Sequence, residues 1–468
     1  MNQAVSLTFT DDIYQQLKKH LFPGDGLEAV ALVLCTRHEG PNRIRLLSKS
    51  VYCIPYGICT ERHKDAVAWP TEAILNSLIE ASDKNYSVVK VHCHPGGGSV
   101  FSELDNQSDK ALFPCVHGWV EPPVPHVSAI MLPDGSMVGR MVDEYGHFAP
   151  LQHINVAGDD LNFWFSKTEG ADIPAHGLRV AQAFGKGTFN LFRRLKIGVV
   201  GCSGTGNPVV HMLAQNTIGT IVMVDPDSIE HKNLNRLLSA IAKDAKNGVL
   251  KVDQLERVIS ELGFGTIIET YPMSLLTPEA VHAIADCDII IGCVDSVMGR
   301  HLLNRISSYY LIPLFDIGVK LIADGKGGVS HICGTSHFIK PGGSSLLSRR
   351  VYTMDDLHAE ELKRIDPKAY VDELERGYLK GVKDDQPAVG AINIHASSLA
   401  VNDLIARLHG YRNDPNEEYA VQRFELVNGI ADCEGHGEPC PVFAKLVALG
   451  DTPLLLGMPA LDDLEDAA

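Results

Sequence analysis

Apolar positions along the chain fall into two spacings. Short continuous runs occur at Glu28-Ala29-Val30-Ala31-Leu32-Val33-Leu34, Lys196-Ile197-Gly198-Val199-Val200, Ile221-Val222-Met223-Val224 and Asp288-Ile289-Ile290-Ile291-Gly292-Cys293. Runs of this length bounded by turn residues read as buried strands. Other apolar residues recur at helical spacing. Ile74, Leu75, Leu78 and Ile79 mark one face of a helix over Thr71 to Ser82, and Val209, Val210, Met212 and Leu213 open another. Leu357 to Gly381 is rich in Glu360, Glu361, Lys363, Arg364, Glu373, Glu375 and Arg376, and reads as a helical insertion with a solvated face. Leu151 to Ala175, containing Phe163-Trp164-Phe165, reads as a connector. The pattern predicts an α/β protein: a mixed α/β domain over residues 1–150, a connector over 151–175, a mostly parallel, doubly covered sheet over 176–410, and a looser C-terminal extension over 411–468.

Composition narrows the class. The chain has 468 residues, 45% hydrophobic and 21% charged, with 41 basic against 58 acidic residues and a net charge of −17. That balance argues against nucleic acid or an anionic membrane as the main partner. No apolar run reaches the ~18 residues needed to cross a bilayer, and the start MNQAVSLTFTDD lacks a basic, then apolar, leader. Eleven scattered cysteines suit a reducing, cytoplasmic setting better than a disulfide framework. The acidic end Asp462, Asp463, Glu465 and Asp466 reads as a solvated tail.

The first chemistry-bearing string is His92-Cys93-His94, followed by three glycines (Gly96, Gly97, Gly98) and then Ser102-Glu103-Leu104-Asp105. Histidines one residue apart on an extended segment point the same way. A carboxylate returning across the glycine turn supplies a third ligand and leaves the fourth tetrahedral position open, as in catalytic zinc sites. The string, with the acidic Glu28 entering an apolar strand, resembles the JAMM/MPN (JAB) metalloprotease family over roughly residues 5 to 150. The resemblance implies His92, His94 and Asp105 as Zn²⁺ ligands, Glu28 as general base and Ser102 as support for the oxyanion.

The second string follows the strand ending at Val200: Gly201-Cys202-Ser203-Gly204-Thr205-Gly206, a turn that opens a helix and cradles phosphate. After it come Asp225-Pro226-Asp227, Asn233-Leu234-Asn235-Arg236, Lys251, and Asp295 with Arg300 beyond it. In this order the residues resemble the ThiF/MoeB adenylation fold of ubiquitin-activating enzymes over roughly 175 to 410. The resemblance implies ATP held by Gly201, Gly204, Gly206 and Asp225. It assigns the phosphates to Asn233, Arg236 and Lys251, with Lys243 and Lys246 as alternatives to the last, and Mg²⁺ to Asp295. It also implies a homodimer in which Arg179 reaches the nucleotide of the partner subunit.

The chain departs from that family in two places. Between Cys333 and Cys433 it has no cysteine, so the usual thioester nucleophile is missing. Where relatives carry a Cys-x-x-Cys zinc pair it has Ser345 and Ser348, which read either as acyl acceptors forming an oxyester or as loop serines without a covalent role. Cys433, His436 and Cys440 read as half of a metal site, as the source of a mobile thioester cysteine, or as unpaired or structural groups, the last being favoured because they supply too few ligands to close a metal site alone. The combined resemblance implies a bifunctional enzyme. One half would cleave after the C-terminal glycine of a ubiquitin-like protein, and the other would adenylate that glycine for a conjugating enzyme. Bacterial fusions of this layout are associated with ubiquitin-like conjugation operons, some of them antiviral. A sulfur-carrier protein is the alternative substrate, and a carrier-binding scaffold the alternative role for one half.

Overall fold

The computed structural model describes residues 3–166, 172–324, 326–376 and 389–462, arranged in two compact units. The first comprises β1 (Ala4–Thr10), α1 (Asp11–Leu21), β2 (Val30–Glu39), β3 (Arg43–Cys53), the short pair β4 (Glu61–Arg62) and β5 (Val67–Ala68), α2 (Leu75–Lys84), β6 (Ser87–Cys93), α3 (Glu103–Trp119), β7 (His126–Met131), β8 (Met137–Val142), β9 (Phe148–Pro150), β10 (His153–Ala157) and β11 (Leu161–Phe165). Nine of these strands form one mixed sheet in the order β11-β10-β1-β3-β2-β6-β7-β8-β9. Both of its faces are buried. Leu17 and Leu21 of α1 pack with Val5, Leu7, Val33 and Val91 on one, and Leu78 of α2 and Phe113 and Val116 of α3 pack with Leu32 and Leu34 on the other. That two-sided burial is why β2 reads as a continuous apolar run and not an alternating one.

The connector expected over 151–175 is corrected by the structure. β10 pairs in parallel with β1, and β11 closes an antiparallel hairpin on β10. Thr8 Oγ1 donates to Asn155 Oδ1 at 2.9 Å, tying the hairpin to the first strand. Two five-residue runs around Gly158-Asp159-Asp160 carry a hairpin signal; the aromatic run Phe163-Trp164-Phe165 masked it. Trp164 stacks on Tyr14 at 6.0 Å between ring centres. The expected helix over Thr71 to Ser82 is present as a short 3₁₀ turn, Thr71–Ile74, leading into α2.

The second unit contains α4 (Leu178–Phe192), β12 (Lys196–Val200), α5 (Gly206–Gln215), β13 (Thr220–Val224), α6 (Ala242–Asn247), α7 (Lys251–Leu262), β14 (Ile267–Tyr271), α8 (Pro278–Ala285), β15 (Ile289–Gly292), α9 (Val297–Tyr310), β16 (Leu314–Ala323), β17 (Val329–Ile339), α10 (Met354–Ile365), α11 (Pro367–Glu375), α12 (Gly390–His409), β18 (Val421–Glu425) and β19 (Ile430–Glu434). Its eight strands run β14-β13-β12-β15-β16-β17-β18-β19. The first five are parallel neighbours, and β17, β18 and β19 extend the sheet antiparallel.

The looser extension expected over 411–468 is therefore also corrected. β18 and β19 belong to the second sheet, while Val447–Pro453 clusters with the first unit. There Thr36 Oγ1 donates to Ala448 O at 3.1 Å, and Asp451 receives His38 Nδ1 at 2.8 Å and the Glu39 N–H at 2.7 Å. The charged insertion is helical as α10 and α11. Its end at 377–381, Pro387 and Ala388, and the acidic residues Asp463, Glu465 and Asp466 lie outside the described residues. No helix among the described residues is long and apolar enough to cross a membrane.

Candidate metal centre and nucleotide site

β6 ends inside the first sheet with His92 buried, Cys93 turned to the opposite, core-facing side, and His94 just past the strand. His92 Nε2 and His94 Nε2 lie 3.1 Å apart, and Asp105 places one oxygen 3.0 Å from the first and the other 3.4 Å from the second. A tetrahedral ion with bonds of 2.0–2.1 Å separates its ligands by roughly 3.3–3.4 Å, so the two imidazoles and the carboxylate stand near the spacing that zinc needs, with a small shift of the carboxylate bringing one oxygen to both histidines. Gly98 O accepts from His94 Nδ1 at 2.7 Å, which fixes that proton and leaves Nε2 as the free donor. Burial holds His92 below the ordinary histidine range, the bond to Asp105 raises His94, and the histidine contacts overcome burial to hold Asp105 well below the carboxylate range.

Asp105 is positioned by the start of α3. Ser102 is the N-cap: its Oγ accepts the Asp105 N–H at 3.1 Å and donates to Asp105 Oδ2 at 2.7 Å, while its own N–H also donates to Oδ2 at 2.7 Å. The single hydroxyl proton of Ser102 is thus committed to the ligand carboxylate. Here Ser102 orients Asp105; donating to an oxyanion requires releasing that bond.

Glu28 reaches to 3.9 Å from His94 Nε2, and burial pushes its carboxyl up to about 7. The segment that leads from it into β2 is held by an unusual bracket. Cys93 N–H donates to Ala29 O at 3.2 Å, and the return bond of the pair, from Ala29 N–H, goes to Cys93 Sγ at 3.2 Å. The same thiol lies 2.9 Å from Leu21 O. Cys93 therefore links β6, which carries His92, to the segment that leads from Glu28 into β2, a role the motif spacing did not show. A cleft beside the site is lined by Glu28, Trp69, Lys90, His92, Leu104 and Asp105.

In the second unit the candidate residues follow the carboxyl ends of three adjacent parallel strands: Gly201 after β12, Asp225 after β13 and Asp295 after β15. Gly201 has φ +88°, and a Cβ on it would lie 2.6 Å from Cys293 O. On Gly206 a Cβ would lie 1.7 Å from Gly201 O, so the turn cannot close around a side chain. Asp225 is buried and accepts the Cys202 N–H at 2.6 Å and the Asp227 N–H at 2.9 Å. Burial raises its pKa, against the pull of Lys251. Among the three candidate lysines the structure favours Lys251, buried at the start of α7 with Nζ 2.6 Å from Asp227 Oδ2 and 3.6 Å from Asp225 Oδ1; Lys243 and Lys246 are exposed. Asn233 is buried with Oδ1 on the Glu230 N–H at 2.9 Å. Arg236 is held loosely by Lys232 O and Asn235 Oδ1, and its Cδ lies beside Gly204.

Asp295 is exposed at the mouth of the β15–α9 loop. That loop is braced from the insertion: Glu360 of α10 accepts the Val297 and Met298 N–H groups at 2.7 and 3.2 Å. Arg300 turns inward to the buried Asp316 at 3.3 Å. Arg179 is exposed at the start of α4 and donates to Gln182 Oε1 at 2.9 Å. Ser345 is buried, its Oγ accepts the Ser348 N–H at 3.2 Å and its own N–H donates to Ser348 Oγ at 2.9 Å, closing the turn, while Ser348 is exposed. Cys433, His436 and Cys440 do not converge as a metal-sized group among the described residues; His436 Nδ1 lies 3.2 Å from Arg349 Nη2.

Comparison with known proteins separates the same two halves. Residues 177–431, more than half the chain, match the ThiF family, and residues 10–142 match prokaryotic homologs of the JAB domain. The adenylyltransferase and sulfurtransferase UBA4 of Meyerozyma guilliermondii is 32% identical over 136 residues, 29% of this chain and 32% of that one. Its counterpart in Candida glabrata is 34% identical over 115 residues, 25% and 26% of the two chains. The chain thus spans about a third or less of the length of these curated relatives. Among solved structures, E. coli MccB is similar at a TM-score of 0.43 and 19% identity, over 61% of this chain and 74% of that one, a likeness too distant to carry activity. The chain belongs to the ThiF family, as a fusion of an N-terminal domain of the prokaryotic JAB type with a C-terminal ThiF adenylation domain.

Proposed function

We propose that the second unit adenylates the C-terminal glycine of a ubiquitin-like or sulfur-carrier protein, and that the first unit hydrolyses the peptide or isopeptide bond that follows such a glycine. ThiF-family enzymes use ATP and act on carrier proteins of these kinds. The observation that carries the reading is the alignment of Gly201, Asp225 and Asp295 at the carboxyl ends of neighbouring parallel strands, where α/β sheets bind nucleotides.

In the adenylation step a carboxylate oxygen of the carrier attacks the α-phosphorus of ATP. The bond from that phosphorus to the bridging oxygen breaks, and pyrophosphate leaves. The backbone of the glycine turn cradles phosphate oxygens, Asp225 accepts from the ribose hydroxyls, and Arg236 and Lys251 bring positive charge to the phosphoryl group. Asp295 would hold Mg²⁺, which offsets triphosphate charge when bound. Arg179 is assigned to the nucleotide of a partner subunit in a homodimer. With no cysteine between Cys333 and Cys433 and Ser345 buried, the acyl-adenylate passes to a separate acceptor, a conjugating enzyme or a sulfur donor, with the exposed Ser348 as the remaining oxyester candidate on this chain.

At the first site His92, His94 and Asp105 would hold zinc, which supplies Lewis acidity and lowers the pKa of water there. Glu28 takes the water proton and returns it to the leaving amine as the carbon–nitrogen bond breaks. Ser102 keeps Asp105 oriented. A ubiquitin-like carrier is the first reading; the sulfur-carrier reading is favoured by the names of the curated relatives. The test is incubation of the chain with ATP, Mg²⁺ and a glycine-ended carrier, followed by mass analysis for the carrier adenylate. Its absence with every such carrier would leave the second unit as a binding scaffold.

A further inference from the structure

The first turns of α12 form a wall of the glycine turn. A Cβ on Gly390 would lie 2.9 Å from Asn235 O, and Ser397 Oγ donates to Thr205 O at 2.8 Å. Between these contacts sits Asn393. A Cβ built on Gly204 would lie 2.1 Å from Asn393 Nδ2 and 3.1 Å from Arg236 Cδ, so the carboxamide occupies the space that the missing side chain leaves, next to Arg236. Asn393 is 5% exposed as a residue, and its carboxamide, which keeps a small contact with solvent, has no hydrogen-bond partner among the described residues. An asparagine side chain offers two N–H donors and one carbonyl acceptor, and such groups, when buried, are nearly always satisfied. The buried Asn233, Asn207 and Asn304 follow that rule, each bonded to backbone.

We propose that Asn393 is a nucleotide-binding residue whose Nδ2 donates to a phosphate oxygen of ATP held over the glycine turn. The inference rests on the adenylation reading and extends its site to a helix that carries none of the motif residues. It also explains the side-chain choice at Gly204. A larger residue there would displace the amide from the phosphates, beyond any steric effect on the turn itself.

The experiment measures ATP affinity of the full chain without carrier by titration calorimetry, for wild type, Asn393→Ala and Asn393→Asp, with the melting temperature of each nucleotide-free protein. A hydrogen bond to a charged group supports an expected loss of about tenfold to a hundredfold for Asn393→Ala. Asn393→Asp keeps the shape, turns a donor into an anion facing phosphate, and should lose at least as much with little change in melting temperature. ATP affinity unchanged in both variants would overturn the inference, including the case where only the carrier KM rises, which would assign the amide to the carrier tail. Failure of both variants to fold would make Asn393 a packing residue and overturn it as well. Wild type that binds no ATP would instead refute the adenylation reading, and this inference with it.

Discussion

Asp109 is fully buried on α3, one turn after the metal-ligand candidate Asp105, and sits between two cations. One of its oxygens meets Lys90 of β6, itself 3% exposed, and the other meets Arg140 of β8, with Nη2 at 2.6 Å and Nε at 3.2 Å. Arg140 also donates to Asn106 at 2.6 Å, and its guanidinium carbon lies 3.7 Å from the ring centres of both Phe101 and Phe148. The cluster thus anchors the first turns of α3 and the residue before Ser102. Asp109→Asn keeps the shape but leaves two positive charges without their shared counterion. Removing one partner of a buried ion pair costs about 3–5 kcal/mol, a large part of a stability on the order of 5–15 kcal/mol. The chain's three tryptophans, Trp69, Trp119 and Trp164, all lie in the first unit, so their fluorescence during urea unfolding reports that unit. We expect Asp109→Asn to lower its stability by about 3 kcal/mol or more, and added Lys90→Met to restore at least about 1 kcal/mol through coupling of the pair. A loss under about 1 kcal/mol, or purely additive effects, would refute the view that this carboxylate neutralises the cluster.

Other consequences follow from particular residues. His92→Ala and Asp105→Asn should lose bound zinc by metal analysis, whereas Glu28→Gln should retain it while losing peptide-bond hydrolysis. Acid should weaken the first unit through His126, whose Nδ1 accepts the Val88 N–H at 2.9 Å and which burial pushes down to about 3. Below its ordinary value near 6.5 only the unfolded chain takes up this proton, so stability falls by up to about 1.4 kcal/mol per pH unit as pH drops toward 3. Urea midpoints between pH 7 and 4.5, compared with those of His126→Gln, check this; equal pH slopes would exclude His126 as the source. Gly206→Ala should abolish the rise in melting temperature given by ATP, because its Cβ would lie 1.7 Å from Gly201 O.

The two sites differ in how much of them the residue pattern exposes. A metal site needs fixed donors at short spacing, so His92, His94, Ser102 and Asp105 stand out in a single stretch, and the structure brings side-chain atoms of the three candidate ligands within 3.4 Å of one another. The placement of the glycine turn, Asp225 and Asp295 after strands was likewise legible, because each follows a run of continuous apolar residues. What the pattern hid was long-range. Cys93 acts through Ala29, Asp109 through Lys90 and Arg140, and Glu360 through the N-terminus of α9, pairings that only the folded sheet creates. β10, β11, β18 and β19 are each five residues long, too short for periodicity to separate them from loops. Ser102 shows a further limit: the motif marks the residue, but its hydrogen bonds to Asp105 are visible only in the folded chain.

The most direct measurement is ATP–pyrophosphate exchange with glycine-ended ubiquitin-like and sulfur-carrier proteins, comparing wild type with Asp295→Ala and Arg236→Ala. The adenylation reading predicts exchange that requires the carrier and its terminal glycine and falls by at least about a hundredfold in both variants. Exchange that is absent with every carrier, or undiminished in both variants, would contradict it.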